Sequence, residues 1–155
     1  MNARLDYKEL APDAYQALWS LEKLVRASGL DRALLNLVYL RVSQINGCAF
    51  CVDMHSKDLR AAGESDERLA CLTVWRESPI FTARERASLA WAEAITELGR
   101  EHVPDAVYAE ARREMDERHL IWLTLAVSTV NTWNRMAIAF RSVPGRYKAS
   151  AAVDR

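Results

Sequence analysis

The stretch from Glu117 to Phe140 constrains the fold more than any other part of the chain. It contains neither glycine nor proline, and its apolar side chains spread around much of a helical circumference. Such a helix has to lie at the centre of a domain or in a subunit interface. The rest of the sequence agrees with helix throughout. Glycine and proline are scarce, at five and four, and Ala, Leu, Arg and Glu dominate. No segment alternates as a strand does. The expected fold class is therefore all-α. A length of 155 residues suits one domain with one core.

The helices can be placed by their punctuation. Ala11–Ala27 carries Tyr15, Leu18, Leu21, Leu24 and Val25 at helical spacing and stops at Ser28-Gly29. Asp31 caps a second helix, with Leu34, Leu35, Val38 and Leu40, which runs to about Ser43. Asn46-Gly47 breaks it, glycine suiting a left-handed C-terminal residue. A third helix starts close to Cys48 and ends at Ala62-Gly63. Ser65-Asp66 opens a short fourth through Trp75. Thr82 and Glu85 form a capping box for a fifth, to about Leu98. Pro104 opens a sixth, to about Met115, ahead of the long final helix. About six to seven helices thus fill a single domain spanning residues 1–145, and residues 146–155 form a tail expected to fray.

Lysine plus arginine and aspartate plus glutamate balance at 21 each, which does not favour nucleic acid or an anionic membrane as partner. The first residues contain no apolar run of signal-peptide length, and no segment has 18 uninterrupted apolar residues. The expectation is a cytoplasmic protein, in a compartment that keeps most thiols reduced.

Against that background Cys48, Cys51 and His55 form a pattern. On a helix these positions lie on one face, and the Asn46-Gly47 break puts them at a helix N-terminus. A helix N-terminus and a neighbouring imidazolium both favour thiolate, the nucleophilic form. His55 can accept or relay the Cys51 proton. If one sulfur is oxidised to sulfenic acid, the other can displace it as a disulfide, which thiol exchange then resets. Two other readings stay open on spacing alone. The three side chains could ligate zinc, although a structural site needs a fourth ligand and neither Cys71, His102 nor His119 has suitable spacing. The cysteines could also be buried packing residues.

The segment Leu40 to His55 (LRVSQINGCAFCVDMH) resembles the alkylhydroperoxidase D-like (AhpD-like) branch of the carboxymuconolactone decarboxylase superfamily. The likeness continues through Lys57–Glu64, Trp75–Pro79, Glu85–Trp91 and Asn131–Arg135, and spans most of the chain, from about Leu18 to Arg141. It implies an all-helical fold assembling as trimers or hexamers. It also implies a peroxidase or disulfide-reductase activity needing no bound cofactor and no metal. Carried over residue by residue, it makes Cys51 the peroxide-attacking thiol, Cys48 the resolving thiol and His55 the proton relay. The implied partners are a peroxide or disulfide substrate and a thiol reductant or redox partner protein.

The chain departs from the pattern twice. Asn36 occupies the position twelve residues before Cys48 where peroxidase members usually carry glutamate. Asparagine cannot take up a proton at neutral pH, so a relay ending there is cut or rerouted. Phe50 replaces a histidine and is expected to shield the thiol. A non-enzymatic redox sensor or thiol-exchange partner is therefore the alternative function, and the superfamily's decarboxylase chemistry, which does not use the cysteine pair, is a third.

Other polar residues have plainer expectations. Asp53 and Asp58, offset from the cysteine stripe, read as solvated surface. Glu85 reads as a cap and Glu93 as a salt-bridge or surface residue. His102 and His119 read as surface, and Cys71 as a buried inert thiol. Asn131, Trp133, Asn134 and Arg135 interrupt an apolar helix, so they require partners across the core or around the cysteine helix.

Overall fold

In the computed structural model, residues 2–100 and 102–149 are described, and among them there are eight α-helices, one 3₁₀ turn and no strand. The helices are α1 (Tyr7–Leu10), α2 (Pro12–Arg26), α3 (Arg32–Ile45), α4 (Ala49–Ala61), α5 (Asp66–Cys71), α6 (Ala83–Thr96), α7 (Asp105–Glu114) and α8 (Glu117–Phe140); the 3₁₀ turn, Leu72–Val74, extends α5. The helix beyond the expected count is α1, a single turn too short to show periodicity. None of the helices among the described residues is long and apolar enough to cross a membrane.

Side-chain caps set the helix starts. The Asp31 carboxylate accepts from the Leu34 N–H at 2.8 Å, and the Ser65 hydroxyl from the Arg68 N–H at 3.1 Å. At α6 the Glu85 N–H donates to Thr82 Oγ1 while the Thr82 N–H donates to Glu85 Oε2, closing the box reciprocally. Each such cap is worth about 1 kcal/mol.

Helix α3 is the axle of the fold. Every residue from Leu34 to Leu40 is buried, and so are Val42 and Ser43. It packs against α4, α6 and α8. Its two sides belong to two apolar clusters. One joins Val38 and Val42 to Val25, Trp91, Leu123, Val127 and Val130. The other joins Leu37 and Leu40 to Leu59, Leu72, Trp75 and Leu89. Full burial of each such aliphatic side chain contributes roughly 2 kcal/mol. Helix α8 is also central, lying against α2, α3, α4, α6 and α7, and only its outer edge shows Ile121 and Ile138 to solvent.

Helix α2 departs from the expected apolar stripe. Leu24 is 59% exposed, whereas Glu22 is 2% exposed and Val25 fully buried. The buried residues of this helix are Glu22 and Val25, with Leu18 half-buried one turn before them, so the inward stripe carries a carboxylate in its middle.

Candidate functional site

The site begins where α3 stops. Gly47 adopts φ +68°, the left-handed conformation that glycine takes without a Cβ penalty. The Cys48 N–H donates to the Ser43 carbonyl at 3.0 Å and the Gly47 N–H to the Gln44 carbonyl at 3.2 Å, the paired bonds of a Schellman ending. The turn is then clamped from α8. Asn46 Nδ2 donates to Asn131 Oδ1 and to Asn134 Oδ1, each at 2.8 Å, and Asn134 Nδ2 donates to Ser43 Oγ at 3.1 Å. Asn131 Nδ2 donates to the Val127 carbonyl and Thr96 Oγ1, and Arg135 Nη1 donates to the Asn131 carbonyl. The polar residues of an otherwise apolar helix thus anchor the loop that delivers the cysteines. Trp133 instead stacks edge-on against Tyr15 and Trp19.

Cys48 is the N-cap of α4, and its sulfur accepts from the Cys51 N–H at 3.4 Å. The Cys48 and Cys51 sulfurs lie at disulfide-bonding distance, with Cα atoms 5.3 Å apart, inside the usual range for a bridge. Both cysteines are buried, at 1% and 3% exposure. Phe50 and Ala137 pack on the pair. Phe50 also lines a cavity of about 200 Å³ with Leu5, Tyr7, Lys8, Phe140 and Val143. Neither cysteine lines that cavity; Phe50 stands between it and the pair.

His55 lies one turn beyond Cys51 on the buried face of α4. Its Nδ1 is buried without a hydrogen-bond partner in the protein. Burial, with the Arg26 charge adding to it, pushes the imidazole down from its ordinary value to about 3. The ring is therefore neutral at rest, and the imidazolium invoked from the sequence is absent near neutral pH. What His55 presents instead is an uncharged, enclosed ring with an unpartnered Nδ1.

Its surroundings include residues the sequence reasoning missed. The Tyr39 ring meets the imidazole edge-on at 5.4 Å between centroids. Tyr39 Oη donates to Glu22 Oε2 at 3.2 Å, and Arg26 Nε donates to Glu22 Oε1 at 2.6 Å. Burial and the Glu22 carboxylate raise the Tyr39 phenol far above its ordinary value. The helical register of Glu22 with Leu18 and Val25 was the one available sign of its burial. Nothing in the sequence links it to His55.

The remaining candidates sort as follows. Asn36 is buried on α3, and its Oδ1 has no partner in the protein. Asp53 and Asp58 are half-buried, not solvated, because the chain after α8 returns across α4. Asp53 Oδ2 accepts from Lys57 Nζ and the Gly145 N–H, and Asp58 Oδ1 accepts from Tyr147 Oη at 2.7 Å. Lys57 Nζ also donates to the Tyr147 carbonyl. The segment expected to fray is thus hydrogen-bonded at Tyr147, and its residues 150–155 lie outside the described residues. Cys71 is free and only partly buried, not enclosed. His102 is exposed and His119 pairs with Asp116. Among the described residues no three His, Cys, Asp or Glu side chains are grouped to hold a metal ion.

Comparison with known proteins bears on this geometry. The sequence profile of the carboxymuconolactone decarboxylase family matches residues 12–94. The uncharacterized protein YdfG of Bacillus subtilis (strain 168) is 39% identical over 139 residues, covering 90% of this chain and 95% of YdfG. The alkyl hydroperoxide reductase AhpD of Bradyrhizobium diazoefficiens is 46% identical over 41 residues, covering 26% of this chain and 22% of that protein. The crystal structure of ATU0492 from Agrobacterium tumefaciens, a protein of unknown function provisionally assigned to AhpD-type antioxidant defence, superposes with a TM-score of 0.91 at 40% identity, covering 94% of this chain and all of that one.

Proposed function

From the premise that the chain belongs to the carboxymuconolactone decarboxylase family, in its AhpD-like branch, we propose that it is a cysteine-dependent peroxidase or disulfide reductase working through a Cys48–Cys51 dithiol–disulfide cycle. The observation that carries this reading is the pair of sulfurs at bonding distance on the first turn of α4, with His55 one turn on. In the oxidising half, the Cys51 sulfur attacks the O–O bond of a hydroperoxide. The sulfur gains one oxygen as sulfenic acid, and the alkoxide or hydroxide leaves with the thiol proton passed through His55. Cys48 then attacks the sulfenic sulfur, water leaves, and the disulfide closes. A dithiol reductant or redox partner protein returns both thiols by exchange, becoming oxidised itself. Cys51 is assigned the attack because His55 lies one turn away on the same helix and because the likeness to the family carries the attacking thiol onto that position.

The test is substitution of each cysteine. Cys51→Ser is expected to reduce peroxide consumption driven by a thiol reductant by at least about 10³-fold, toward the uncatalysed rate. Cys48→Ser should still allow one sulfenate per chain but no steady turnover. Sustained turnover by Cys51→Ser would remove the assignment. A second reading, a slow redox sensor or thiol-exchange partner, draws on the deep burial of both sulfurs and on Asn36 at the relay position. It predicts a reversible disulfide with negligible turnover in the unmodified protein.

A further inference from the structure

The turn between α3 and α4 is fastened to α8. Ser43 lies in the last turn of α3, and Asn46 is its C-cap, two residues before Cys48. Asn134 holds both: its Nδ2 donates to Ser43 Oγ at 3.1 Å, and its Oδ1 accepts from Asn46 Nδ2 at 2.8 Å. Asn131, one turn earlier on α8, accepts from the same Asn46 amide at 2.8 Å and is itself fixed by Val127 and Arg135. Ala137, one turn later, packs on the cysteine pair. Asn134 and Ser43 are fully buried and Asn131 is 8% exposed, so water competes little for these bonds. The two redox states of the pair differ in what they ask of this turn. A disulfide fixes both cysteines by its own bond. A dithiol does not, so a loose turn would gain conformational freedom on reduction and lose it again on oxidation. A turn already clamped gains none, and closing the bond then costs little entropy.

We propose that Asn46, Asn131 and Asn134 are positioning residues that set the dithiol–disulfide equilibrium of Cys48 and Cys51. They hold the reduced pair near the arrangement of the oxidised one and so favour the disulfide. With oxidised glutathione as co-reactant, two S–H bonds of the protein break and one S–S bond forms. Two electrons and two protons pass to the glutathione disulfide, which leaves as two thiols. The inference rests on the dithiol cycle of the proposed function, not on its peroxide step, and adds α8 to a site so far confined to α4.

The test equilibrates the full chain carrying Cys71→Ser in glutathione buffers of graded ratio and counts thiols by alkylation and mass. Asn46 has a right-handed helical backbone, φ −73° and ψ −11°, so alanine fits there without strain. Asn46→Ala should lower the equilibrium constant for disulfide formation about tenfold, a shift of about 30 mV toward easier reduction. Asn134→Ala, which also releases Ser43, should act in the same direction by at least as much. The double variant should fall short of the product of the two, since both loosen one clamp. Glu93→Ala is the control for general loss of stability, because its partners Arg41, Trp75 and Arg76 lie outside the turn, and its constant should match the parent's. A clamp that is merely structural weakens both redox states alike, lowering the melting temperature without moving the constant. An unmoved or raised constant for Asn46→Ala therefore overturns the proposal, as does an equal shift for Glu93→Ala. Should Asn134→Ala fail to fold, Asn46→Ala decides alone. A bridge that forms in the parent with unmoved variants leaves the function standing and removes the clamp from it. A parent that forms no Cys48–Cys51 bridge at any ratio removes both.

Discussion

Glu93→Ala is expected to lower the melting temperature by about 6–12 °C, corresponding to a loss of about 3 kcal/mol in a chain of this size. Glu93 joins three parts of the fold. Its Oε1 accepts from Arg41 Nε of α3 at 2.7 Å and from the Trp75 indole N–H at 2.8 Å, and its Oε2 accepts from Arg76 Nη1 at 2.6 Å. The sequence reading as a salt-bridge residue understates it, since Glu93 is buried to 9% exposure. Truncation leaves the indole N–H of a buried tryptophan without its acceptor and Arg41, 18% exposed, without a counter-charge. The Arg76 contact adds little, because that side chain is 55% exposed. Glu93→Gln keeps acceptor capacity and should lose about half as much. Urea unfolding should show a lower midpoint at unchanged slope. A change of less than about 2 °C would mean that the three donors find solvent or other acceptors at little cost.

The second large effect is acid sensitivity traceable to one residue. The folded-state value of His55 is about 3, against an ordinary 6.5 in the unfolded chain. Above pH 6.5 the ring is neutral in both states and contributes nothing. As pH falls below 6.5 the unfolded chain binds a proton that the folded protein refuses until about pH 3, so stability declines in that window. The slope approaches 1.4 kcal/mol per pH unit, or roughly 2–3 kcal/mol between pH 7 and pH 4.5. Carboxylates also titrate there, so the informative quantity is a difference. Wild type should lose about 2–3 kcal/mol more than His55→Gln between those two pH values in urea unfolding. Parallel curves would show that His55 is solvated in the folded protein and accepts a proton freely.

These residues also show what the sequence could and could not reveal. The helix boundaries were legible because their causes are local: a cap such as Asp31 or Thr82 satisfies N–H groups three residues on, and Gly47 ends α3 by its own conformation. The cysteine turn was legible for the same reason, its three members lying within eight residues. Resemblance to the family then supplied roles that spacing alone left open. What the sequence did not show is which polar side chains become buried through distant packing. Glu22 looks like the solvated side of an amphipathic helix until α3 brings Tyr39 against it, 17 residues away. Asp53 and Asp58 look like surface until the segment after α8 crosses them. The charge state of His55 was likewise out of reach, because it depends on burial against Tyr39 of α3 and on the distant Arg26 charge rather than on its neighbours in the chain.

The central claim is that Cys48 and Cys51 are a working dithiol, and counting thiols tests it most directly. The fully reduced chain, with three cysteines, and its Cys71→Ser variant are titrated anaerobically before and after one equivalent of peroxide. The account predicts that the variant loses both of its thiols, that the unmodified chain retains one, and that peptide masses place a single intramolecular bridge between Cys48 and Cys51. Loss of one thiol only, located at Cys71, with Cys48 and Cys51 still reduced, would contradict it.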